Sequence, residues 1–190
     1  KFQLKKVNFF TDISNYISYE LGQPTHCYDS SKINNQIVFD RIDYNYSFKS
    51  LHNEDIKLNG LNCVFKLKDE IINLAGIMGG ISTACNNDTK KALIECAYFK
   101  PESIIGNRIK YKINSDAAYK FERGVDPNCH DFVFKRFLKI VTDHVDINYV
   151  KKCNFNYQES SKKLIECDVK DINQILGTDI SIDDFKDILK

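Results

Sequence analysis

Apolar residues recur at helical spacing in D-I-S-N-Y-I-S-Y-E-L-G, where Ile13, Tyr16, Ile17 and Leu21 share one face and Thr11-Asp12 offer oxygens to free helix N–H groups. This predicts an amphipathic helix over residues 12–21, ended by Gly22 at its C-cap and by Pro24 just beyond. Residues 36–42 switch to strand alternation. Residues 56–65 read as a β-hairpin in which Asn59-Gly60 supplies two positive-φ positions. Lys68-Asp69-Glu70 then turns into a strand at 71–75, and Asn86-Asn87-Asp88 leads into another at 92–97. Pro101 suits a first helical position, and Ile104, Ile105, Arg108 and Ile109 give the stripe of a second helix. Asp126-Pro127 opens a third, the longest, with Phe132, Val133, Phe137, Ile140 and Val141 inward as far as about His144. Strand character returns at 150–155, followed by the small-polar run Gln158-Glu159-Ser160-Ser161. Beyond it lie a strand candidate at 164–167, a helix capped by Asp168 and ending at Leu176-Gly177, and a capping-box spacing from Ser181 to Asp184. The fold class is α+β, a central antiparallel β-meander or sandwich flanked by helices. One domain is expected over residues 1–157, with the truncated start of the next over 158–190.

Composition narrows the class. Apolar residues make up 43% of the 190, without a run approaching the ~18 needed to cross a bilayer, so a soluble, non-membrane protein is expected. The start K-F-Q-L-K-K has neither an initiator Met nor an apolar signal core, and suggests an excised fragment. The seven cysteines are scattered, odd in number and without a C-x-x-C pair, which points to free thiols in a reducing cytoplasm and gives no zinc spacing. Net charge is +1, from 27 basic and 26 acidic residues. Phosphate contacts dominate nucleic-acid affinity, so a nucleic-acid partner would have to be held chiefly by other parts of a larger protein.

Several residues carry candidate chemistry. Glu95 is a carboxylate in an otherwise apolar strand, either facing solvent, the commoner case, or deliberately placed. His26 follows the break after the first helix and could serve as a general base, a hydrogen-bonding group or a cap on the helix turn. Ser14 and Asn15 sit in the helix's first turn, toward which the chain at His26-Cys27 can double back, so Ser, Asn and His are expected to converge. A Ser14–His26 or Cys27–His26 nucleophile pair has no third orienting residue and no G-x-S-x-G turn. Ala75-Gly76 and Gly79-Gly80 form neither G-x-G-x-x-G nor a P-loop, so nucleotide cradling is not expected. Arg123 and Asp126 read as a buried structural ion pair around a glycine turn.

Four blocks in order, S-N-Y with E-L-G-Q-P-T-H, L-A-G-I-M-G-G, L-I-E-C-A-Y-F and F-E-R-G-V-D-P, resemble the editing module of bacterial-type phenylalanyl-tRNA synthetase β subunits. The likeness covers residues 7–150, and 164–190 resembles the opening of the following domain. It implies hydrolysis of mischarged tyrosyl-tRNA(Phe), with the alternative of a non-catalytic tRNA-binding or scaffolding module of the same fold. It further implies that Glu95 recognises the tyrosine hydroxyl, that Ala75 and Gly76 floor the pocket, and that Pro24 and Ala117 line it. His26, Ser14 and Asn15 would then lie at the ester. The implied partners are the tRNA(Phe) 3′ end, tyrosine as editing substrate and the α subunit of an α2β2 enzyme. No cofactor is implied in this segment, while ATP and Mg are used by the full enzyme. Family members usually have Thr where Ser14 stands and Glu where Asp116 stands.

Overall fold

The computed structural model describes residues 5–34, 36–155 and 164–190. The chain divides into two compact units, Lys1–Lys152 and Cys153–Lys190, and the polar run at 158–161 lies outside the described residues.

The first helix, α1, spans Phe9–Leu21 and so begins ahead of the expected Asp12. Its cap is Asn8, whose Oδ1 accepts from the Thr11 N–H at 3.0 Å and whose Nδ2 donates to the Cys85 carbonyl at 3.0 Å. Asp12 lies inside the helix and reaches back to accept from the Val7 N–H at 2.9 Å. Its helix-start signature is therefore real but one turn late, since the better-placed amide precedes it. Gly22 ends α1 in the left-handed conformation, φ 73°, its N–H on the Ser18 carbonyl. Asn8→Ala removes a cap and strands the Cys85 carbonyl, and should cost about 1–2 kcal/mol in urea unfolding; an unchanged midpoint would show that the cap is redundant.

Among the described residues the strands form three antiparallel sheets, not one meander. Strand β1 (His26–Asp29) pairs with β8 (Ala92–Glu95). Strand β2 (Ile37–Asp43) pairs with β5 (Leu61–Leu67), which continues through β6 (Glu70–Leu74) to β7 (Met78–Gly79). Strand β3 (Tyr46–Lys49) pairs with β4 (Asp55–Leu58). The hairpin expected over 56–65 does not form, because β4 and β5 belong to different sheets. Gly60 takes positive φ but Asn59 does not. Tyr111 ties that corner down instead, its hydroxyl donating to the Asn59 carbonyl at 2.9 Å, while Asn62 Nδ2 donates to the Gly60 carbonyl at 2.8 Å. The tight hairpin is the next turn, β5 to β6, with Lys68 at φ 56°.

Pro101 does open a helical segment, but it is a short 3-10 turn, Pro101–Ser103. Gly106 at φ 83° breaks it before α2, Asn107–Lys110. The expected stripe is split accordingly, with Ile104 buried and Ile109 82% exposed. Helix α3, Asp116–Phe121, is an element the periodicity left unassigned; Ser115 caps it by accepting from the Ala118 N–H at 3.2 Å and anchors it by donating to the Ile77 carbonyl at 2.6 Å. Helix α4, His130–Thr142, buries Val133, Phe137 and Val141 and leaves Phe132 in solvent. Arg123 and Asp126 form no buried pair. Arg123 is half-exposed, stacks on the Tyr119 ring at 3.5 Å and bonds Glu122 at 2.6 Å, while Asp126 accepts from the Asn128 N–H.

Two cores flank β1 and β8. Ile13 and Ile17 of α1 and Val133, Phe137 and Val141 of α4 meet Cys27, Ile94 and Cys96 on one face. On the other, Tyr28 packs with Leu67 and Ile72. Strand alternation produces this split, because Cys27 and Tyr28 must point to opposite faces.

In the second unit Asp168 caps α5, Val169–Leu176, and Gly177 ends it at φ 66°. Ser181 caps α6, Ile182–Ile188, accepting from the Asp184 N–H, as the capping-box spacing predicts. Residues 164–167, like 150–155, are irregular and belong to none of the strands described.

Candidate functional site

Pairing of β1 with β8 sets His26 opposite Glu95, and alternation puts Tyr28 on the same face. Tyr28 donates its hydroxyl proton to Glu95 Oε2 at 2.6 Å and accepts from Asn73 Nδ2, on β6, at 2.9 Å. The His26 ring meets the Tyr28 ring edge-on at 4.4 Å between centroids. On another side it lies against Gly79, where a Cβ would come within 2.3 Å of His26 Cε1. His26, Tyr28, Asn73, Gly79 and Glu95 thus make one largely buried group carried by four strands, β1, β6, β7 and β8.

Enclosure governs its electrostatics. Burial pushes the Glu95 carboxyl up to about 7, with the Tyr28 hydrogen bond acting to lower it. Burial also brings His26 down to about 4, so its imidazole is neutral at neutral pH. His26 Nε2 is fully enclosed and has no partner. Burying an unpaired ring nitrogen costs free energy that a ligand's donor or acceptor would recover. Burial raises the Cys27 thiol well above its ordinary range, as does its neighbour Cys85, which removes it as a thiolate nucleophile.

The remaining sequence candidates distribute around this centre. Ser14, on the buried face of α1, bonds both the carbonyl and the hydroxyl of Thr25, the residue preceding His26, at 2.7 and 2.8 Å. Asn15, one residue on, is exposed. Pro24 is buried, and Gln23 beside it donates to the Pro24 and Ala97 carbonyls, tying the approach of β1 to the exit of β8. Ala75 is buried in a third core, with Val64, Leu74, Phe99, Ile104 and Phe121, and Ala117 packs against it. Gly76 has φ 70°, and a Cβ there would lie 2.8 Å from the Phe99 ring and 3.0 Å from Ile104 Cδ1. The space on that side of the glycine is filled by the protein's own aromatic cluster, in which Phe99 meets Phe121 at 5.0 Å.

Two surface clefts lie away from these residues, one of about 120 Å³ between Tyr46 and Ile81 and a groove of about 460 Å³ along Glu54–Lys57 and Lys110–Ile113. Tyr28 and Asn73 are the members of the group that the sequence did not flag, and Gly79 was read only as part of a glycine pair. A polar residue inside the apolar run I-I-N-L was the available signal for Asn73, and the two-residue spacing from His26 was the signal for Tyr28. Among the described residues no cluster of three metal-ligating side chains occurs.

This α+β domain, with helices on one side of a two-stranded sheet and the His26, Tyr28 and Glu95 side chains on the other, belongs to the B3/4 domain family, whose model matches residues 1–146. Its curated relatives are phenylalanine–tRNA ligase β subunits. That of Pectobacterium atrosepticum is 31% identical over 74% of this chain and 18% of its own length, and that of Clostridium tetani 29% over 98% and 24%. That of Chlamydia caviae is 35% identical over 65% of this chain and 16% of its own length. The chain therefore spans about a quarter or less of the β subunits it matches, and its four ordered motifs are those of a fragment of such a subunit.

Proposed function

We propose that the chain is the proofreading segment of a phenylalanine–tRNA ligase β subunit and that the group around His26 and Glu95 removes tyrosine wrongly attached to tRNA(Phe). The observation that carries this reading is the bond from Tyr28 to Glu95: at this place in the fold a partly buried carboxyl is satisfied by a phenol. A hydrophobic pocket separates substrates differing by one hydroxyl by only ~10²-fold, so a synthetase for phenylalanine needs a second site that reads the hydroxyl directly. In this reading Glu95 is the acceptor for that hydroxyl and the ring enters over Ala75, Gly76 and Ala117 beside Pro24, which requires the Phe99 ring that fills the space next to Gly76 to move aside.

At the ester end this reading places Ser14, whose hydroxyl bonds Thr25, the residue before His26. His26 stays neutral, which suits it to orienting a water or the terminal ribose more than to holding a proton, and its unpartnered Nε2, enclosed against Gly79, meets either only after that enclosure opens. Water oxygen bonds to the acyl carbon, the ester C–O bond breaks, and the water proton passes to the ribose oxygen, releasing tyrosine and intact tRNA. Most tRNA affinity comes from elsewhere in the enzyme, as do the α subunit contacts and the ATP and Mg of aminoacylation. The setting is cytoplasmic; no helix among the described residues is long and apolar enough to cross a membrane.

Glu95→Gln in the complete ligase should let tyrosyl-tRNA(Phe) accumulate, with tyrosine recognition weakened by about 1–2 kcal/mol and phenylalanine unaffected. Absence of tyrosyl-ester hydrolysis by the unmodified complete ligase would sink the reading. A second reading, a non-catalytic tRNA-binding or scaffolding module, draws on Tyr28 already occupying Glu95 and on Ser14 and Asp116 departing from the family pattern; it predicts unchanged error levels in Glu95→Ala.

A further inference from the structure

We propose that Tyr28 is a specificity-determining positioning residue: its hydroxyl takes one oxygen of Glu95 and aims the other, Oε1, at the phenol of an incoming tyrosine. This rests on the proofreading reading above and adds to it the residue through which Glu95 acts.

The geometry leaves the Tyr28 hydroxyl one arrangement. Its oxygen accepts from Asn73 Nδ2 at 2.9 Å, so its own proton goes to Glu95 Oε2, 2.6 Å away. The ring cannot swing clear, because it is 1% exposed, packed with Leu67 and Ile72, and met edge-on by His26. Asn73 is itself buried on β6. The carboxyl is held through Oε2 by a fixed donor, and an ionised carboxylate has acceptor capacity left at its second oxygen. A phenol arriving there would find an acceptor already oriented, whereas phenylalanine would bring it no donor.

The charge state agrees with this arrangement. Besides Glu95, the titratable groups of this cluster are His26, Cys27 and Tyr28 on β1 and Cys96 just beyond β8. Burial keeps His26 neutral down to about 4, raises Cys27 and Tyr28 well above their usual values, and pushes Cys96 up to about 12. Glu95, at about 7, is then the one member that changes charge near neutral pH. The Tyr28 bond works against burial to keep it ionised, the state in which it accepts a phenol proton.

Calorimetric binding of tyrosine and of phenylalanine to this chain, as wild type, Tyr28→Phe, Glu95→Gln and the double variant, tests the proposal across about pH 6 to 9. Tyr28→Phe should weaken tyrosine about tenfold near neutral pH, leave phenylalanine within about twofold, and move the pH at which tyrosine affinity rises upward. The double variant should bind tyrosine no more weakly than Glu95→Gln alone, since both changes act on the same carboxyl. Tighter tyrosine binding in Tyr28→Phe would make Tyr28 a competitor and overturn the proposal. So would equal weakening of both ligands, unchanged affinities, or additive effects. Selective tyrosine loss in Glu95→Gln alone would remove Tyr28's role and leave the proofreading reading standing, while no selectivity in Glu95→Gln would remove both.

Discussion

Unfolding free energy should tilt with pH in opposite directions when His26 and Glu95 are replaced one at a time. Glu95 titrates at about 7 in the folded chain against an ordinary 4.5, so the folded state favours its protonated form. Its stabilising contribution is complete below pH 4.5 and is lost as pH rises to about 7. His26 titrates at about 4 against an ordinary 6.5, so its contribution is complete above pH 6.5 and is lost as pH falls to about 4. Each swing amounts to about 3 kcal/mol at ~1.4 kcal/mol per pKa unit, and in the wild type the two nearly offset across the window they share. His26→Gln should therefore lose stability as pH rises from about 4.5 to 7, and Glu95→Gln as it falls from about 6.5 to 4. Urea unfolding at a series of pH values measures both; profiles parallel to the wild type would show that neither group is shielded from water as the structure places it.

Gly79→Ala should be the most damaging small substitution at the site. Its Cβ would lie 2.3 Å from His26 Cε1 and 2.9 Å from Nε2, with Leu51 Cδ1 at 3.0 Å. The imidazole cannot retreat without driving into the Tyr28 ring, which is pinned by Glu95 and Asn73. Overpacking of this kind costs about 1–3 kcal/mol. A displacement near 1 Å at a reacting centre lowers rates by about 10²-fold. Thermal unfolding reads the first effect and, on the proofreading proposed above, single-turnover hydrolysis of tyrosyl-tRNA(Phe) by the complete ligase reads the second. A variant with normal stability and normal hydrolysis would mean that His26 moves freely and is not held for catalysis.

Local grammar was legible where the signal and its cause lie within a few residues. The stops at Gly22 and Gly177 and the caps at Asp168 and Ser181 stand where the sequence put them, because a left-handed terminus or an N-cap is decided within one turn. Pairing partners were not legible. The Asn59-Gly60 corner has the residues of a hairpin, yet β4 and β5 pair with β3 and β2, a choice made by the apolar faces of distant strands. Helix α3 was missed because its six residues are too few to show a period, and its anchor is the Ile77 carbonyl, remote in sequence. At the site, Glu95 stood out as a carboxylate in an otherwise apolar strand, and His26 as a histidine just past the break after the first helix. That they face each other, and that Tyr28 lies between Glu95 and Asn73, depends on the register of β1 with β8, which nothing local specifies.

That register has a consequence for how the molecule is made. The β5–β6 turn closes over a pair of residues and can form as soon as it leaves the ribosome, but the β1–β8 ladder joins residues 26–29 to 92–95. The chain between them must be synthesised and its ends brought together against a loop-closure entropy that local turns do not face. A nascent chain that stops short of Ala92 carries His26 and Tyr28 without the strand that orders them. The site is thus a late product of folding, present only after the scaffold's long-range contacts are in place, and a lesion anywhere in the intervening sheets reaches the site by delaying that closure.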